Sequence, residues 1–314
     1  MVALLVFLAS AVEAQQTHRL YRIGVLNEAW AANHPAVEGL KAGLRDLGFH
    51  EGRDVTFDIR FTKGDPKAMP VEAKALVKAG VDLIFTSKET ATLAAMAETQ
   101  KLPIVFTLVG DPVTAGVVKE LVHPGGNLTG ISSLTAELTP KRLEVLKTFY
   151  PGVKRVWYIY DATNPTGLAA LSLALLAAPR LGVELESVGV ATAPEVTAVL
   201  DSLKPGDALL APDQDGFDIN ASILEKSLAA HIPVVFASSL LVAHGGLVSY
   251  GPDYYAQGVQ AARLVAKILR GTRPADLPVE STDRLYLSVN LTTASLFRLP
   301  VPPKILYRAN VVHR

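Results

Sequence analysis

The sequence predicts an α/β protein built from two similar lobes with parallel sheets. The first indication is a repeated strand signature, because residues 102–106 read Leu-Pro-Ile-Val-Phe and residues 232–236 read Ile-Pro-Val-Val-Phe. The second is that each copy follows an apolar, helix-like run, which in turn follows a short apolar strand headed by Asp82 or Asp207. Strand–helix–strand units that recur at matching spacing indicate two α/β lobes. Two facing lobes enclose a cleft, and clefts are where small molecules bind.

Strands and helices alternate along the first half. The first helix is defined by apolar residues at helical spacing and ends at a glycine: Val37, Leu40, Leu44, Leu47 and Gly48. The predicted strands are 21–26, 55–61, 82–85 and 104–107. Further helices are predicted at 66–78, in the run that ends at 96, and shortly after Pro112. Because a helix separates each strand from the next, we expect the strands to be parallel.

The second half repeats this alternation after a Pro-Gly-Gly-Asn turn at 124–127 and a strand at 128–132. The predicted strands are 156–160, 183–190, 208–211, 234–237 and 285–289. The predicted helices are one that opens at Thr139-Pro140, one at 165–181, one after Pro194, and those at 219–230 and 254–270. The closing Pro-Val-Pro-Pro at 300–303 is expected to be extended.

Composition narrows the function classes. The 30 acidic and 30 basic residues balance, so no overall charge attracts the chain to nucleic acid or to an anionic membrane. The lack of cysteine excludes disulfides, thiolate catalysis and cysteine metal sites. The seven histidines show no metal-ligand spacing, and the common nucleotide-binding, hydrolase and zinc-protease motifs are missing. No cofactor and no metal are therefore expected, although an acid–base pair of Asp111 with a histidine stays open.

Residues 1–14 are predicted to be a signal peptide. Residues 2–12 form an apolar run too short to span a bilayer, and Val12-Glu13-Ala14 offers the small-x-small pattern of a cleavage site. The usual basic start is missing, so a buried N-terminal strand or a misassigned start codon is the alternative. Without a cysteine for lipid attachment, an exported binding protein would be free and would need an outer membrane to retain it. We therefore predict the periplasm of a Gram-negative cell.

Ligands of parallel α/β sheets bind beyond the carboxyl ends of the strands, where helix N-termini point their amides. This rule, together with nearby aromatic residues, selects the candidate ligand-binding residues. They are Asn27, Trp30, Ser87, Thr90, Gly110, Asp111, Asp161, Asn164, Asp213, Gln214, Ser238 and Tyr250. The same loops also hold Glu28, Ala29, Lys88, Glu89 and Ser239.

Most of these residues also have a structural interpretation. Ser87 suits a helix cap, and three pairs match an N-cap followed by proline at the first helical position: Asp111-Pro112, Thr139-Pro140 and Asn164-Pro165. A loop that caps a helix can still present amides to a ligand carboxylate.

The remaining candidates are acidic and aromatic residues. Asp213 and Asp215 either form a turn or, if they face the cleft, favour a ligand ammonium group. The aromatic candidates Trp30, Tyr160 and Tyr250 either line the cleft or belong to the core.

Two segments resemble a known family. Residues 105–132 read VFTLVGDPVTAGVVKELVHPGGNLTGIS, and residues 248–280 read VSYGPDYYAQGVQAARLVAKILRGTRPADLPVE. Both are similar to the ABC-transporter substrate-binding family that includes the tryptophan and tyrosine binders. The resemblance implies the type I periplasmic-binding-protein fold, with two Rossmann-like lobes joined by a three-strand hinge near 131–134, 247–250 and 283–286. It implies an N-terminal lobe of 20–131 plus 251–283 and a C-terminal lobe of 132–250 plus 284–314.

The resemblance further implies a function. The chain would be the periplasmic solute-binding component of an ABC uptake transporter, a monomer that closes on a small ligand and delivers it to a membrane permease. The loops at Ser87, Asp111, Asn164, Asp213 and Tyr250 would line the cleft. Family members that bind amino acids often carry an acidic-Asn-Ser run where this chain has residues 161–166, Asp-Ala-Thr-Asn-Pro-Thr. The resemblance implies an amino acid as the ligand, an aromatic one foremost, and this departure from the family pattern keeps aromatic acids and other small carboxylates open beside it.

Two alternatives stay open at this point. The first is an exported module that senses the ligand for a receptor, and the second is an enzyme that uses the same cleft.

Overall fold

The computed structural model describes residues 19–314 apart from 29–31, 64, 66, 163 and 213–218. Strands are found at β1 (Tyr21–Asn27), β2 (Val55–Phe61), β3 (Leu83–Ser87), β4 (Ile104–Val109), β5 (Leu128–Ser132), β6 (Arg155–Asp161), β7 (Glu184–Val190), β8 (Ala208–Leu210), β9 (Val234–Phe236), β10 (Val248–Pro252), β11 (Glu280–Ser281), β12 (Leu285–Asn290) and β13 (Val311–His313). Helices are found at α1 (Pro35–Asp46), α2 (Ala68–Lys78), α3 (Glu89–Glu98), α4 (Thr135–Phe149), α5 (Pro165–Ala177), α6 (Ala193–Ser202), α7 (Ile219–Ala230), α8 (Ser239–Ala243), α9 (Tyr254–Leu269), α10 (Leu291–Leu296) and α11 (Pro303–Arg308). Among these helices, none has the length and apolar character needed to cross a membrane.

The strands form two sheets that are almost entirely parallel. The first has the order β11-β5-β4-β3-β1-β2 and the second the order β13-β12-β10-β9-β8-β6-β7, in which β10 and β12 are antiparallel. Each sheet separates two clusters of buried apolar side chains, because helices cover both of its faces. This arrangement confirms the predicted α/β fold class with two lobes.

The repeated strand signature occupies the same place in both sheets. Its copies begin β4 and β9, and the proline before each strand makes the same bond: the Pro103 carbonyl accepts from the Ile84 amide and the Pro233 carbonyl from the Leu209 amide, both at 2.9 Å. The aspartates that precede β3 and β8 are also equivalent. Asp82 accepts from the Arg22 amide at 2.8 Å, and Asp207 forms a bidentate pair with Arg155 at 2.8 and 2.9 Å.

Helices α1 and α9 touch through their backbones. A Cβ atom built on Gly39 would lie 2.0 Å from the Tyr255 carbonyl oxygen, and one built on Gly258 would lie 2.0 Å from the Ala36 carbonyl oxygen. Only glycine allows this approach. The contact joins α9, which follows β10 of the second sheet, to the first sheet, as the resemblance implied for the helix at 254–270.

Three segments connect the two sheets: residues 133–134, residue 253 and residues 282–284. They are bonded to one another, because the Thr282 amide donates to the Ser132 carbonyl at 2.9 Å and the Asp253 amide to the Arg284 carbonyl at 3.1 Å. The second crossing was predicted at 247–250, and this was wrong by a few residues. Strand β10 stays in the second sheet until Pro252, since it pairs with β12 over its whole length.

Two buried glutamines of α9 tie the helix to these crossing segments. Gln257 Nε2 donates to Ser133 Oγ at 3.1 Å. Gln260 Nε2 donates to the Ser281 carbonyl at 2.9 Å, and Gln260 Oε1 accepts from the Asp283 amide at 3.2 Å. The lobe limits predicted from the sequence stay a prediction, and we retain them as a working division of the chain.

Several local predictions were wrong. The helix expected after Pro112 is a series of turns, and the helix expected at Thr139-Pro140 already begins at Thr135. The Thr135 amide at its start donates to the carbonyl of Gly110, which is distant in the chain, at 3.3 Å, and the Leu134 amide just before it donates to Ser132 Oγ at 3.4 Å. Short helices α8, α10 and α11 were not predicted, and α11 begins inside the segment expected to be extended.

Candidate functional site

The two lobes approach each other at the carboxyl ends of their strands. Gly110 follows β4 of the first sheet, and a Cβ built on it would lie 2.8 Å from Thr135 Cβ and 3.0 Å from Thr166 Cγ2. Thr166 is the second residue of α5, which follows β6 of the second sheet. The loop after β4 and the start of α5, both selected by the strand-end rule, therefore meet where one lobe faces the other.

Two hydroxyl groups of the first lobe are buried at the carboxyl ends of its strands. Ser87 ends β3 with 1 % of its surface exposed, and Thr90 is the second residue of α3. Neither Ser87 Oγ nor Thr90 Oγ1 makes a hydrogen bond within the described part of the chain. The interpretation of Ser87 as a helix cap is wrong, because α3 is preceded by Lys88 and has no side-chain cap bond. The Ser87 hydroxyl thus keeps its hydrogen-bonding capacity.

Lys88 has an unusual backbone conformation, with φ 80° and ψ 164°. This region is essentially restricted to glycine, and a lysine held there costs about 1–3 kcal/mol. The conformation is held from both sides, since the Lys88 amide donates to the Thr107 carbonyl at 2.9 Å and the Lys88 carbonyl accepts from Thr92 Oγ1 at 2.8 Å. Such outliers cluster at functional sites.

Asn27, Gly110 and Asp111 also lie at this edge. Asn27 ends β1 and is buried. Asp111 Oδ1 accepts from the amides of Val113 and Thr114, each at 3.1 Å, and Asp111 Oδ2 accepts from the Thr114 hydroxyl. The capping interpretation therefore holds for Asp111, but for a turn and not for a helix.

The second lobe contributes the end of β6 and the start of α5. Asp161 ends β6 and is buried. Asn164 caps α5 as predicted, because its side chain accepts from the Thr166 amide at 2.8 Å and Pro165 follows at the first helical position. Thr166 was missed by the sequence analysis, although the Asn-Pro cap places residue 166 at a helix N-terminus. It is 2 % exposed, and its hydroxyl has no hydrogen-bond partner among the described residues.

The remaining described candidates have structural contacts. Ser238 caps α8 by accepting from the Leu240 amide at 3.3 Å. Tyr250 packs against the apolar core of the second lobe, as does Tyr160, whose ring stacks on Tyr158 at 5.9 Å. Trp30, Asp213 and Gln214, together with Asp215, lie outside the described residues. The assignment of all these residues to a ligand site stays a prediction.

One ion pair at these strand ends was not singled out by the sequence analysis. Lys88 Nζ lies 3.7 Å from Glu28 Oε2, and the two side chains are 26 % and 9 % exposed. A group of three metal-ligating side chains is not found in the part of the chain that the structure covers.

The acidic residue Asp207 lies at the amino ends of the strands in the second sheet, away from the candidate site. Burial raises the pKa of Asp207, but hydrogen bonds from Arg155, the Lys204 amide and Trp157 outweigh this effect and hold the pKa below 3.8. Asp207 precedes β8, at the edge away from the facing loops, so its role is structural.

Comparisons with known proteins agree with this geometry. The family model for ABC transporter substrate binding proteins matches residues 30–313. The chain is 28 % identical over 266 residues to a tyrosine-binding protein of Clostridioides difficile, a match that covers 83 % of this chain and 76 % of the relative.

Solved structures share the fold over nearly the whole chain. A conserved domain protein from Vibrio cholerae is 29 % identical with a TM-score of 0.83, covering 93 % of this chain and 99 % of the other. A domain from Streptococcus pneumonia in complex with L-Trp is 24 % identical with a TM-score of 0.83, covering 94 % and 100 %. The ligand-free, open structure of a Clostridium difficile substrate-binding protein is 27 % identical with a TM-score of 0.71, covering 93 % and 99 %. This chain therefore belongs to the ABC transporter substrate-binding protein family.

Proposed function

We propose that this protein is the periplasmic solute-binding component of an ABC uptake transporter and that its ligand is an amino acid, an aromatic one foremost. The observation on which the proposal rests is a set of buried hydroxyls at the facing strand ends, Ser87 and Thr90 from one lobe and Thr166 from the other, with no hydrogen-bond partner among the described residues. Leaving such a group unsatisfied costs about 1–3 kcal/mol. A polar ligand bound between the lobes satisfies them.

A carboxylate suits these hydroxyls best. Each can donate one hydrogen bond, and bonds to a charged acceptor are about twice as strong as bonds between neutral groups. Thr90 and Thr166 both lie in the first turn of a helix, α3 and α5, where the helix dipole favours negative charge. The names of two similar proteins, a tyrosine-binding protein and a domain in complex with L-Trp, support an aromatic amino acid.

The mechanism we propose is closure around the three crossing segments at 133–134, 253 and 282–284. A ligand that contacts both lobes favours the closed state by the difference in its affinity for the two states. One observation supports a closed arrangement here: Gly110 lies against Thr166 of the other lobe. The closed form would then dock on the permease.

Export completes the proposal. Residues 1–14 would direct the chain across the inner membrane and be removed, leaving a free protein in the periplasm of a Gram-negative cell. Growth and fractionation of cells that express the full chain test this step, with residues 1–14 deleted as the control.

A binding screen tests the ligand. We expect L-tyrosine or L-tryptophan to raise the melting temperature and to bind with a measurable heat by titration calorimetry. Ser87→Ala and Thr166→Val should each weaken binding about tenfold, the effect of roughly 1.4 kcal/mol for one hydrogen bond to a charged group. Ser172→Ala, on the exposed side of α5, is the matched control and should leave affinity unchanged. Wild-type protein that binds none of the twenty amino acids would contradict the proposal.

A further inference from the structure

Strand β13 forms an open edge of the second sheet. It pairs with β12 in parallel, and no other strand of the described chain lies beyond it. An edge strand presents unpaired amide and carbonyl groups, which makes it a template for a further strand. Val312, in the middle of β13, is 38 % exposed, so part of its side chain is open to solvent.

The helix before this strand carries an exposed tyrosine and two cations. In α11 the buried Ile305 anchors the helix to the core of the second lobe. Lys304, Tyr307 and Arg308 are spaced i, i+3 and i+4, so they share one exposed face of the helix. The Tyr307 residue is 92 % exposed. Tyrosine and arginine are enriched among the residues that contribute most to protein–protein binding, so this face has the composition of a contact surface.

The segment that builds this edge carries only positive charge. Residues 285–314 contain no aspartate or glutamate, although the chain as a whole balances 30 acidic against 30 basic residues. Its four lysines and arginines are all exposed: Arg298, Lys304, Arg308 and Arg314. None of the four forms an ion pair with another described residue. Uncompensated positive charge attracts a partner of negative charge and disfavours a positive one.

The other edges of the two sheets differ in charge. The opposite edge of the second sheet, β7, carries Glu184 and Glu186. In the first sheet, Asp58 of β2 pairs with Arg60 of the same strand, and Glu280 of β11 forms an ion pair with α9. Among the described edges, β13 is therefore the one whose own segment offers cations without an acidic counterpart.

We propose that α11 and β13 form a docking surface for an acidic, extended segment of another protein. The segment adds a strand to the outer edge of β13, a known mode of peptide recognition. Its acidic side chains meet Lys304, Arg308 and Arg314, and an apolar side chain packs on Tyr307. We call these four residues together with β13 the β13 surface. The inference makes no use of the cleft and goes beyond the proposed function.

Two other occupants fit the β13 surface less well. A second copy bound through the same surface would bring Arg308 and Arg314 of one protomer close to those of its partner across a two-fold axis, and like charges repel. An anionic membrane would attract the cations. It would leave the outer amides and carbonyls of β13 without a strand partner, because lipid head groups have no peptide backbone.

Fluorescence anisotropy with labelled peptides tests the proposal. The first probe is an end-blocked peptide of four Glu-Val repeats. The second has lysine in place of glutamate. The third has proline in place of valine, which keeps the negative charge but prevents regular strand pairing. We expect the Glu-Val peptide to bind at least about tenfold more tightly than either of the others.

Variants of the β13 surface locate the binding. The double variant Arg308→Glu with Arg314→Glu should weaken binding of the Glu-Val peptide about tenfold or more, and Tyr307→Ala about fivefold. The matched control is Lys101→Glu with Lys119→Glu, which makes the same change in net charge at exposed positions of the first lobe and should retain the affinity. Melting temperatures confirm that each variant is folded.

Hydrogen exchange provides a readout that charge attraction alone would not move. We expect the amides of residues 311–313 to exchange more slowly when the Glu-Val peptide is bound, because strand addition gives the outer amides of β13 a partner. Unchanged exchange in this segment, or equal binding of the Glu-Val and Glu-Pro peptides, would overturn strand addition.

The remaining outcomes identify a different occupant. Binding of the protein to vesicles of anionic phosphatidylglycerol, with no binding of the Glu-Val peptide, would assign the β13 surface to a membrane and overturn the proposal. Self-association of the wild-type protein that is lost in the double arginine variant would assign it to a second copy and overturn it as well. The affinity for L-tyrosine is measured separately, so failure of this inference leaves the proposed function standing.

Discussion

The backbone contact between α1 and α9 makes Gly258→Ala a sensitive test of the fold. The new methyl group would lie 2.0 Å from the Ala36 carbonyl oxygen and 2.8 Å from the Leu40 amide nitrogen, both backbone atoms that no rotamer change can move. To restore an ordinary contact, the helices must separate by roughly 1 Å or more, and overpacking of this kind costs about 1–3 kcal/mol, occasionally more. Because the overlap is severe, we take the upper end of this range.

Helix propensity acts in the opposite direction. Alanine is favoured over glycine inside a helix by about 1 kcal/mol. The net expectation for Gly258→Ala is therefore a loss of about 2 kcal/mol in the free energy of unfolding, or about 4–8 °C in melting temperature for a lobe of this size. Urea unfolding followed by circular dichroism measures the first quantity, and Lys267→Ala on the exposed side of the same helix is the control.

The reciprocal variant sharpens the test. Gly39→Ala places a methyl group 2.0 Å from the Tyr255 carbonyl oxygen across the same interface. Once one methyl group has separated the helices, the second should cost less, so the double variant should lose less than the sum of the single variants. A Gly258→Ala protein as stable as the wild type, or more stable, would refute the close packing and leave only the propensity effect.

Three further variants test other parts of the account. Asp207→Asn should lower the free energy of unfolding by about 2 kcal/mol at pH 7. Because the folded-state pKa of Asp207 is lowered, the stabilisation by its carboxylate is complete above about pH 4 and is lost as the pH falls through the folded-state pKa. The free energy of unfolding of the variant should therefore decline less steeply with acid than that of the wild type. Gln257→Leu should lower the free energy of unfolding by about 1–3 kcal/mol, because it leaves the buried Ser133 hydroxyl unpaired. The double variant with Ser133→Ala removes that hydroxyl and should lose less. A larger loss in the double variant, measured by chemical denaturation, would contradict this. Gly110→Ala should lower the melting temperature of the unliganded protein, because the added methyl group would lie 2.8 Å from Thr135 Cβ, and it should weaken L-tyrosine binding about tenfold or more, because the same methyl group would lie 3.0 Å from Thr166 Cγ2 of the other lobe. Unchanged affinity by calorimetry would rule out the contact with Thr166 in the complex.

Sequence patterns predicted most of the fold because they report local periodicity and the burial of apolar strands. The repeated Pro-containing strand signature and the aspartates before β3 and β8 identified the two lobes. The two prolines accept equivalent backbone hydrogen bonds, and each aspartate accepts from an arginine of the neighbouring strand, through the Arg22 amide in one lobe and the Arg155 guanidinium in the other. The start of α4 was beyond such reasoning. Its first amide, that of Thr135, donates to the Gly110 carbonyl, which is distant in the chain, and the helix has no side-chain cap bond, so no capping pattern in the sequence marks Thr135.

The candidate site was predictable as a set of loops but not as a set of contacts. The strand-end rule found Ser87 and Thr90. It could not tell that the Ser87 hydroxyl has no hydrogen-bond partner among the residues that the structure describes, while Asp111 and Ser238 use their oxygens to bond amides of the turns that follow them. The backbone at Lys88, with φ 80° and ψ 164°, was not predictable either, because this region is typical of glycine. Glu28 and Lys88 were in the selected loops, but only their proximity in space makes them a pair.

A crystal structure of the protein grown with L-tyrosine or L-tryptophan tests the central claim most directly. We predict the ligand between the two lobes, with its carboxylate within hydrogen-bond distance of the Ser87, Thr90 and Thr166 hydroxyls. A ligand bound elsewhere, or one held in the cleft while these three hydroxyls stay without a partner, would contradict the account.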